Sequence, residues 1–370
     1  MNFDEIRPYR DEEVREVIQR LIESESFLKS LQKLIPTLTI EVIKEYFKDV
    51  NTIYDFQKNV VRKVAQLILD HTTSGFSYHG IENLDKHKAY IFISNHRDIV
   101  LDSGLINSAL HDNGFTTSEI AIGDNLLKVD WVKDIVRLNK SFIVQRNLPV
   151  AEVLEVSKQL SAYIFDTVVN RNTSVWIAQK EGRAKDGNDF TQGALLKMLG
   201  LSAEENWLEH YTNLNIVPVA ISYEYDPCDV AKVPELQAKM KGEEYIKAPN
   251  EDNQSMLNGI VGQKGKIHIH FSKPITKADL EELNQSNKNA FVKDLTALID
   301  SKILKNYHLF DSNKYAFDLL EDNDVSDYSD EVKKAFEQRL TQLTDDEKTI
   351  LLSMYANPLR NKRVQESLAN

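Results

Sequence analysis

The chain has 370 residues, of which 42% are hydrophobic, 13 are glycine and 9 are proline, so most of it can fold around a sizeable core. A formal net charge of −12 excludes a general nucleic-acid binder, which needs a basic surface. Cys228 is the single cysteine, which excludes an intrachain disulfide and indicates a reducing compartment such as the cytoplasm. No run approaches the ~18 apolar residues of a spanning helix, so we expect any membrane contact to be peripheral.

The first 72 residues carry apolar positions at helical spacing. The pattern predicts helices over 12–35, 40–48 and 51–71, and Pro36 should end the first of them. We expect the apolar faces of this helical N-terminal region either to pack onto the next domain or to contact a membrane or a partner.

From residue 75 onward, β-prone and helical segments alternate. Strands are predicted at 89–94, 119–122, 141–145, 174–178, 216–222 and 265–271, and helices between several of them at 101–112, 128–138, 148–171 and 191–201. This alternation predicts an α/β fold with a mainly parallel sheet and flanking helices, in which ligands bind beyond the carboxyl ends of the strands.

The remaining segments complete three predicted units. The stretch 229–264 is polar and is predicted to be an irregular excursion, and helices are predicted at 277–305, 329–342 and 344–356. We therefore expect a helical N-terminal region at 1–72, an α/β domain at 73–278, and C-terminal helices with an acidic tail at 279–370.

The clearest chemical signal is an apolar strand that ends in Asn95-His96. A strand end holds a side chain rigidly, and a nearby carboxylate can orient an imidazole as a general base. Asp98 and Asp102 both follow within reach, and the spacing leaves open which of them contacts His96. Asp98 is also a plausible N-cap for the helix that begins near residue 99. Backbone N–H groups at this helix start would be suited to stabilise an oxyanion.

Basic residues follow two further strands. Arg146 ends the strand 141–145, and the strand 174–178 leads into the turn Gln179-Lys180-Glu181-Gly182-Arg183-Ala184-Lys185. Glycine permits close backbone approach to a ligand, and arginine matches phosphate oxygens. Residues 128–200 hold 11 Lys or Arg against 8 Asp or Glu, so this acidic protein is locally basic where an anionic ligand would bind.

His268 and His270 lie on one face of a predicted strand, which is a spacing compatible with a metal site. No third ligand stands near them in sequence, so we expect no metal there.

In this order the segments resemble the glycerolipid acyltransferase family. That family carries Asn-His followed by four residues and an Asp, a Phe-Ile-x-Arg strand, a Pro-Glu-Gly-Thr-Arg turn and a Val-Pro strand. The matching residues here are Asn95-His96, Phe142-Ile143 with Arg146, Glu181-Gly182-Arg183 and Val217-Pro218. Five residues rather than four separate His96 from Asp102, and Gln179-Lys180 stands where Phe-Pro is usual, so the chain resembles a divergent bacterial branch.

The resemblance implies the glycerolipid acyltransferase fold and an O-acyltransferase of phospholipid synthesis. The donor would be acyl-CoA or acyl-ACP, the acceptor lysophosphatidic acid or glycerol-3-phosphate, and no metal or prosthetic group is implied. His96 would be the base, with Asp102 or Asp98 as its partner, and substrate would be bound by Lys180, Glu181, Gly182, Arg183 and Arg146.

Two alternatives stay open, namely a lyso-aminolipid acceptor for the same chemistry and a non-catalytic lipid-binding protein on a degenerate acyltransferase scaffold. We expect a cytoplasmic protein, either free or peripheral on the inner face of the cytoplasmic membrane.

Overall fold

The computed structural model of the protein describes residues 2–34, 39–203, 206–249 and 251–368. In these residues seven strands form one sheet in the order β1-β7-β6-β2-β5-β3-β4. The strands are β1 (Thr73–His79), β2 (Ile91–Ser94), β3 (Glu119–Gly123), β4 (Ser141–Val144), β5 (Val175–Ala178), β6 (Ile216–Tyr223) and β7 (Gly265–Phe271).

Every neighbouring pair in this sheet is parallel except β6 and β7, which are antiparallel. The carboxyl ends of β2 to β6 therefore share one edge. The α/β fold with a mainly parallel sheet is confirmed. Strand β1 was not predicted, because it follows the preceding helix without a turn residue and is half exposed at the edge of the sheet.

Helices cover both faces of the sheet, and helices also form the N-terminal and C-terminal parts of the chain. They are α1 (Asp11–Glu23), α2 (Glu25–Leu34), α3 (Ile40–Lys48), α4 (Ile53–Phe56), α5 (Arg62–Thr72), α6 (Leu101–Asp112), α7 (Asp130–Leu138), α8 (Val150–Phe165), α9 (Gly193–Leu199), α10 (Trp207–Asn213), α11 (Asp229–Lys241), α12 (Glu251–Val261), α13 (Lys277–Glu281), α14 (Lys288–Asn306), α15 (Asp311–Leu320), α16 (Asp330–Leu340) and α17 (Asp345–Ser367). Single π-helical turns join α4 to α5 and extend α8.

Alternate side chains of the central strands enter two different cores. Ile91 and Ile93 of β2 pack in one, and Phe92 between them packs in the other. Successive strand residues point to opposite faces, so a strand that is apolar throughout is covered on both sides. This explains why residues 91–93 of β2 are all apolar.

The N-terminal helices form a core of their own against α7. Val14, Phe27 and Phe47 pack there with Leu138, Trp131 and neighbouring apolar side chains of α7. The first predicted helix is two helices, which are separated at Ser24. Pro36, which was expected to end it, lies outside the described residues.

Two predictions about the second half of the chain were wrong. The stretch 229–264 is not irregular, because it contains α11 and α12, whose apolar positions lack a clear helical period. The last helix was predicted to end at residue 356, but it runs on through Pro358 to Ser367. Tertiary packing outweighs the local cost of this proline. No helix within the described ranges combines the length and the apolar character that crossing a membrane requires.

Candidate active site

His96 lies directly beyond the end of β2, at the carboxyl edge of the sheet. Its Nδ1 is 2.8 Å from Oδ2 of Asp102, in the first turn of α6. A carboxylate only accepts hydrogen bonds, so we assign the proton to Nδ1, which leaves Nε2 as the basic nitrogen. The same Asp102 oxygen accepts from the backbone N–H of Arg97 at 2.6 Å and of Asp98 at 3.0 Å. The turn thus folds Asp102 back onto the imidazole across five residues.

The second oxygen of Asp102 is held from another strand. Asp102 is fully buried, and the Tyr223 hydroxyl at the end of β6 donates to its Oδ1 at 3.0 Å. Burial, reinforced by the charges of Asp102 and Asp98, raises the pKa of Tyr223 well above its ordinary value. The hydroxyl therefore stays protonated and donates, which fixes the carboxylate that orients His96.

Asp98, the other predicted partner of His96, is directed away from the imidazole. Its Oδ1 accepts from the backbone N–H groups of Val100 and Leu101, both at 2.8 Å, where α6 begins. Burial and the neighbouring Asp102 charge raise the pKa of Asp98. A Cβ placed on Gly259 of α12 would lie 2.1 Å from its other oxygen, so α12 packs directly on this side chain. Asp98 thus caps α6, and Asp102 makes the contact with the imidazole.

The backbone N–H groups of this turn are already engaged. Those of Arg97 and Asp98 donate to one buried carboxylate, and those of Val100 and Leu101 donate to the other. The sequence predicted that N–H groups at the helix start would meet the oxyanion. These four cannot do so without breaking existing hydrogen bonds, so the structure contradicts that assignment for them.

Two neighbouring side chains hold the turn against the sheet. The Trp176 ring of β5 packs edge-on against His96, with 5.6 Å between the ring centroids, and its Nε1 donates to Ser94 Oγ at 2.9 Å. Asn95 is buried and pairs with the backbone of Ile221, donating at 2.8 Å and accepting at 2.7 Å. Asn95 therefore fastens the end of β2 to β6, which leaves His96 alone to face the open side.

The basic turn after β5 lies beside His96, as the sheet order requires. Residues 180–183 line the same cavity as the imidazole. Gly182 has φ of +72°, a left-handed conformation that glycine adopts without strain. The N–H of Ala184 donates to the carbonyl of His96 at 2.7 Å. The two predicted motifs are thus joined through their backbones.

Three cationic side chains, those of Arg146, Lys180 and Arg183, line this end of the cavity. Arg146 lies two residues beyond β4, and its Nη1 is 2.9 Å from Oε1 of Glu181, which is largely exposed. Lys180 Nζ donates to the carbonyl of Asn188 at 3.4 Å. Arg183 lines the cavity and has no ion-pair partner among the described residues. The arrangement leaves positive charge available for an anionic ligand.

The sequence did not predict a buried charged cluster behind the histidine. Arg97 Nη1 lies 3.4 Å from Asp189, its Nη2 lies 4.0 Å from Asp226, and Lys232 pairs with Asp226. Within the described residues, Arg97 Nε and Asp189 Oδ1 are buried without a hydrogen-bond partner. The members come from four separate loops and helices, so no sequence spacing reveals them. Only Arg97, next to the histidine, could have been singled out.

The cavity that opens at His96 has a volume of about 1090 Å³. Its apolar part is lined mainly by the N-terminal helices, α5 and α7, including Phe27, Phe47, Phe56, Val64, Ile68 and Trp131. Helices α11 and α12 and the segment between them form another wall, which includes Glu235 and Lys239 of α11 and Lys247 of the connecting segment. The sequence missed these wall residues because it predicted no helix in that stretch.

A second group of histidines lies at the β1–β7 side of the sheet. Burial and the neighbouring histidines lower the pKa of His268 to about 4, and its Nδ1 is 2.8 Å from Ser77 Oγ. The rings of His79 and His308 lie 5.2 Å and 4.8 Å from it. Across the ranges that the structure describes, no three or more His, Cys, Asp or Glu side chains are grouped so that they could hold a metal ion.

Comparison with known proteins agrees with the motif order. Residues 75–222 match the family model described as Acyltransferase, a range that includes all four motifs. No curated protein matches the sequence. Among solved structures, the chain is similar to the 1-acyl-sn-glycerophosphate (LPA) acyltransferase PlsC of Thermotoga maritima, at 13% identity and a TM-score of 0.37, over 77% of this chain and 94% of that one.

The family match begins at β1 and ends in β6, so it contains the histidine turn, the arginine strand and the basic turn that share the cavity. The matched family model and the four motifs within it thus identify an acyltransferase.

Proposed function

We propose that this acyltransferase moves a fatty acyl group from acyl-CoA or acyl-ACP to lysophosphatidic acid or glycerol-3-phosphate in phospholipid synthesis. The observation that carries the proposal is the position of the His96–Asp102 pair, which lies between an apolar cavity and a cluster of cationic side chains. An acyl chain suits the cavity, and a phosphate suits the arginines.

The histidine turn suits direct transfer without a covalent enzyme intermediate. Nε2 of His96 removes the proton from the acceptor hydroxyl while the hydroxyl oxygen attacks the thioester carbonyl. The tetrahedral intermediate then expels the thiolate, which receives that proton from the imidazolium. Asp102 stabilises the imidazolium through the 2.8 Å contact with Nδ1. The products are an ester and a free thiol.

The basic turn suits the phosphate of the acceptor. Arg146 and Arg183 would bind its oxygens, with Lys180 as a further positive charge. Glu181 holds Arg146 at 2.9 Å and so presents its guanidinium toward the cavity. Gly182, with no side chain, allows the backbone to approach the ligand closely.

Membrane contact is proposed at the carboxyl edge of the sheet. Apolar side chains are exposed on segments that follow β3, β4 and β6: Val129 by 47%, Val150 by 93%, Leu154 by 56%, Met240 by 75% and Ile246 by 83%. Exposed apolar residues near the mouth of a lipid site would let the protein lie on a bilayer and take up lysolipid from it.

The basic residues of the turn after β5 could also contact anionic lipid, but they are less exposed than these apolar residues. Lys180 and Lys185 retain 20% and 25% of their side-chain exposure, and Lys185 pairs with Glu235. Flotation with phosphatidylglycerol vesicles at low and high salt would separate the two contributions. We expect binding that Val150→Glu with Ile246→Glu weakens and that high salt weakens less. No binding at low salt would rule out both.

The experiment that tests the function measures thiol release from acyl-CoA and from acyl-ACP. The acceptor panel holds glycerol-3-phosphate, lysophosphatidic acid and a lyso-aminolipid. We expect turnover with a phosphate-bearing acceptor and none without acceptor. Preference for the lyso-aminolipid would refute the phosphate site, and lysolipid binding without thiol release would indicate a non-catalytic lipid-binding protein.

A further inference from the structure

Helix α17 reaches back from the C-terminal part of the chain to the basic turn. It spans Asp345–Ser367 and lies outside the matched family domain at 75–222. Asn357 Nδ2 donates to the carbonyl of Asp186 at 2.7 Å. Asn361 Nδ2 lies 3.1 Å from Asn188 Oδ1 and 3.4 Å from the carbonyl of Gly187.

The contact is close as well as polar. Gly187 has φ of +73°, and a Cβ placed on it would lie 2.3 Å from the carbonyl oxygen of Met354 and 3.0 Å from Pro358 Cδ. A proline at position 358 has no N–H to bond the Met354 carbonyl four residues earlier. Positions 354, 357, 358 and 361 share one face of the helix, so a single helical face covers the turn.

The segment that α17 holds is connected directly to the proposed acceptor site. The carbonyl of Asn188 accepts from Lys180 Nζ at 3.4 Å. On its other side, the N–H of Ala184 donates to the His96 carbonyl at 2.7 Å. Asn188 therefore links α17 to Lys180, since it bonds to both. The short segment from Ala184 to Asn188 links α17 to His96.

We infer that Asn357 and Asn361 are positioning residues for the acceptor, because they hold segment 184–189 so that Lys180 and Arg183 face the cavity. This inference rests on the proposed acceptor site. Neither asparagine lines the cavity, so both act through the turn rather than on the substrate.

The test combines kinetics with a readout that needs no activity. Asn357→Ala, Asn361→Ala and the isosteric Asn357→Asp are compared with Asn323→Ala, a control in the loop after α15 whose amide donates to Asp318 at 2.9 Å. Acceptor KM, donor KM and kcat are measured together with Tm. Trypsin cleavage after Lys180, Arg183 and Lys185 is followed by mass spectrometry.

We expect each variant to raise the acceptor KM about three- to tenfold, the range of one lost neutral hydrogen bond. Donor KM, kcat and Tm should stay near the wild-type values, and cleavage within 180–186 should become faster. The rise in acceptor KM should be at least as large in Asn357→Asp as in Asn357→Ala. A carboxylate at position 357 has no donor for the Asp186 carbonyl and repels it. The Asn323→Ala control should match the wild type.

An unchanged acceptor KM in the variants would overturn the inference, even if their Tm falls or their cleavage by trypsin becomes faster. If the wild type turns over no acceptor, the proposed function fails, and the cleavage rate alone then decides whether the asparagines hold the turn. Wild-type cleavage rates in all three variants would overturn that part as well.

Discussion

The histidine turn and the basic turn lie side by side at one edge of the sheet, but they are held in different ways. Within residues 94–102, the carboxylates of Asp102 and Asp98 bond mostly to groups no more than six residues away, and the hydroxyl of Tyr223 is the one distant donor to Asp102 that the described residues show. Segment 180–191 instead depends on distant chain. Two of its carbonyls accept hydrogen bonds from Asn357 of α17 and Lys232 of α11, and one of its N–H groups donates to Asp300 of α14.

The difference indicates where robustness and adaptability lie in this site. Because most hydrogen bonds of the histidine turn are local, its shape depends less on distant helices than that of the basic turn does. A turn held by three separate helices takes its shape from the whole fold. Changes in those helices would therefore alter the proposed acceptor site more than the position of His96.

The largest expected effect is the loss of the base itself. His96→Ala should lower kcat at least about 100-fold, the range typical of a lost general base, while Tm stays near that of the wild type. Thiol release and thermal unfolding are measured on the same preparation, with the exposed His87→Ala as the control. Near-normal turnover in His96→Ala would refute the mechanism.

The two aspartates of the histidine turn should differ sharply. Asp102→Asn should lower kcat by about 10- to 100-fold, because an amide stabilises the imidazolium poorly. Asp98→Asn keeps an oxygen that can accept from Val100 and Leu101, so its activity should stay within a few-fold of the wild type. An inactive Asp98→Asn beside an active Asp102→Asn would reverse the assignment.

The basic turn should affect binding of the acceptor rather than chemistry. A charge-assisted contact is worth about 1.5–3 kcal/mol, so Arg183→Ala and Arg146→Ala should each raise the acceptor KM by about one to two decades. The donor KM is measured in parallel. Lys239→Ala, on the α11 wall of the cavity, serves as a control for loss of charge alone. A change confined to the donor KM would contradict the phosphate site.

Gly259→Ala tests whether the histidine turn is independent of distant helices. The added Cβ would lie 2.1 Å from Asp98 Oδ2, so α12 or the turn must shift. Overpacking of this kind typically costs about 1–3 kcal/mol of unfolding free energy. Gly193→Ala, whose nearest neighbour would be 3.8 Å away, is the matched control in chemical denaturation. Equal stability of both variants would show that the packing is loose.

The smallest expected effect is on the thermal stability of the protein at acidic pH. His268 has a pKa of about 4 in the fold against an ordinary value of 6.5. In the unfolded chain the His268 imidazole binds a proton near pH 6.5, whereas in the folded protein it does so only near pH 4. The contribution of neutral His268 to the free energy of unfolding is therefore complete above pH 6.5 and declines as the pH falls toward 4. His268→Gln should flatten Tm between pH 7 and 4.5. An unchanged pH dependence of Tm would place the acid sensitivity elsewhere.

The sequence by itself determined the α/β class, most of the strands of the sheet and the order of the four motifs. It could do so because strand periodicity, the Asn-His strand end and the Glu-Gly-Arg turn are local patterns, and because parallel strands deliver their carboxyl ends to one edge. It left the partner of His96 open between two aspartates, since both lie within reach of one turn.

Tertiary structure decided what depends on distant chain. The hydrogen bonds of the 97–100 turn bring Asp102 to the imidazole, and the Tyr223 hydroxyl from β6 holds it there. Helices α11 and α12 form a cavity wall although their sequence has no clear helical period, and α17 continues through Pro358 to hold Asp186 and Gly187. Packing against the rest of the fold stabilises these helices more than local propensity opposes them, and no single-sequence pattern records that packing.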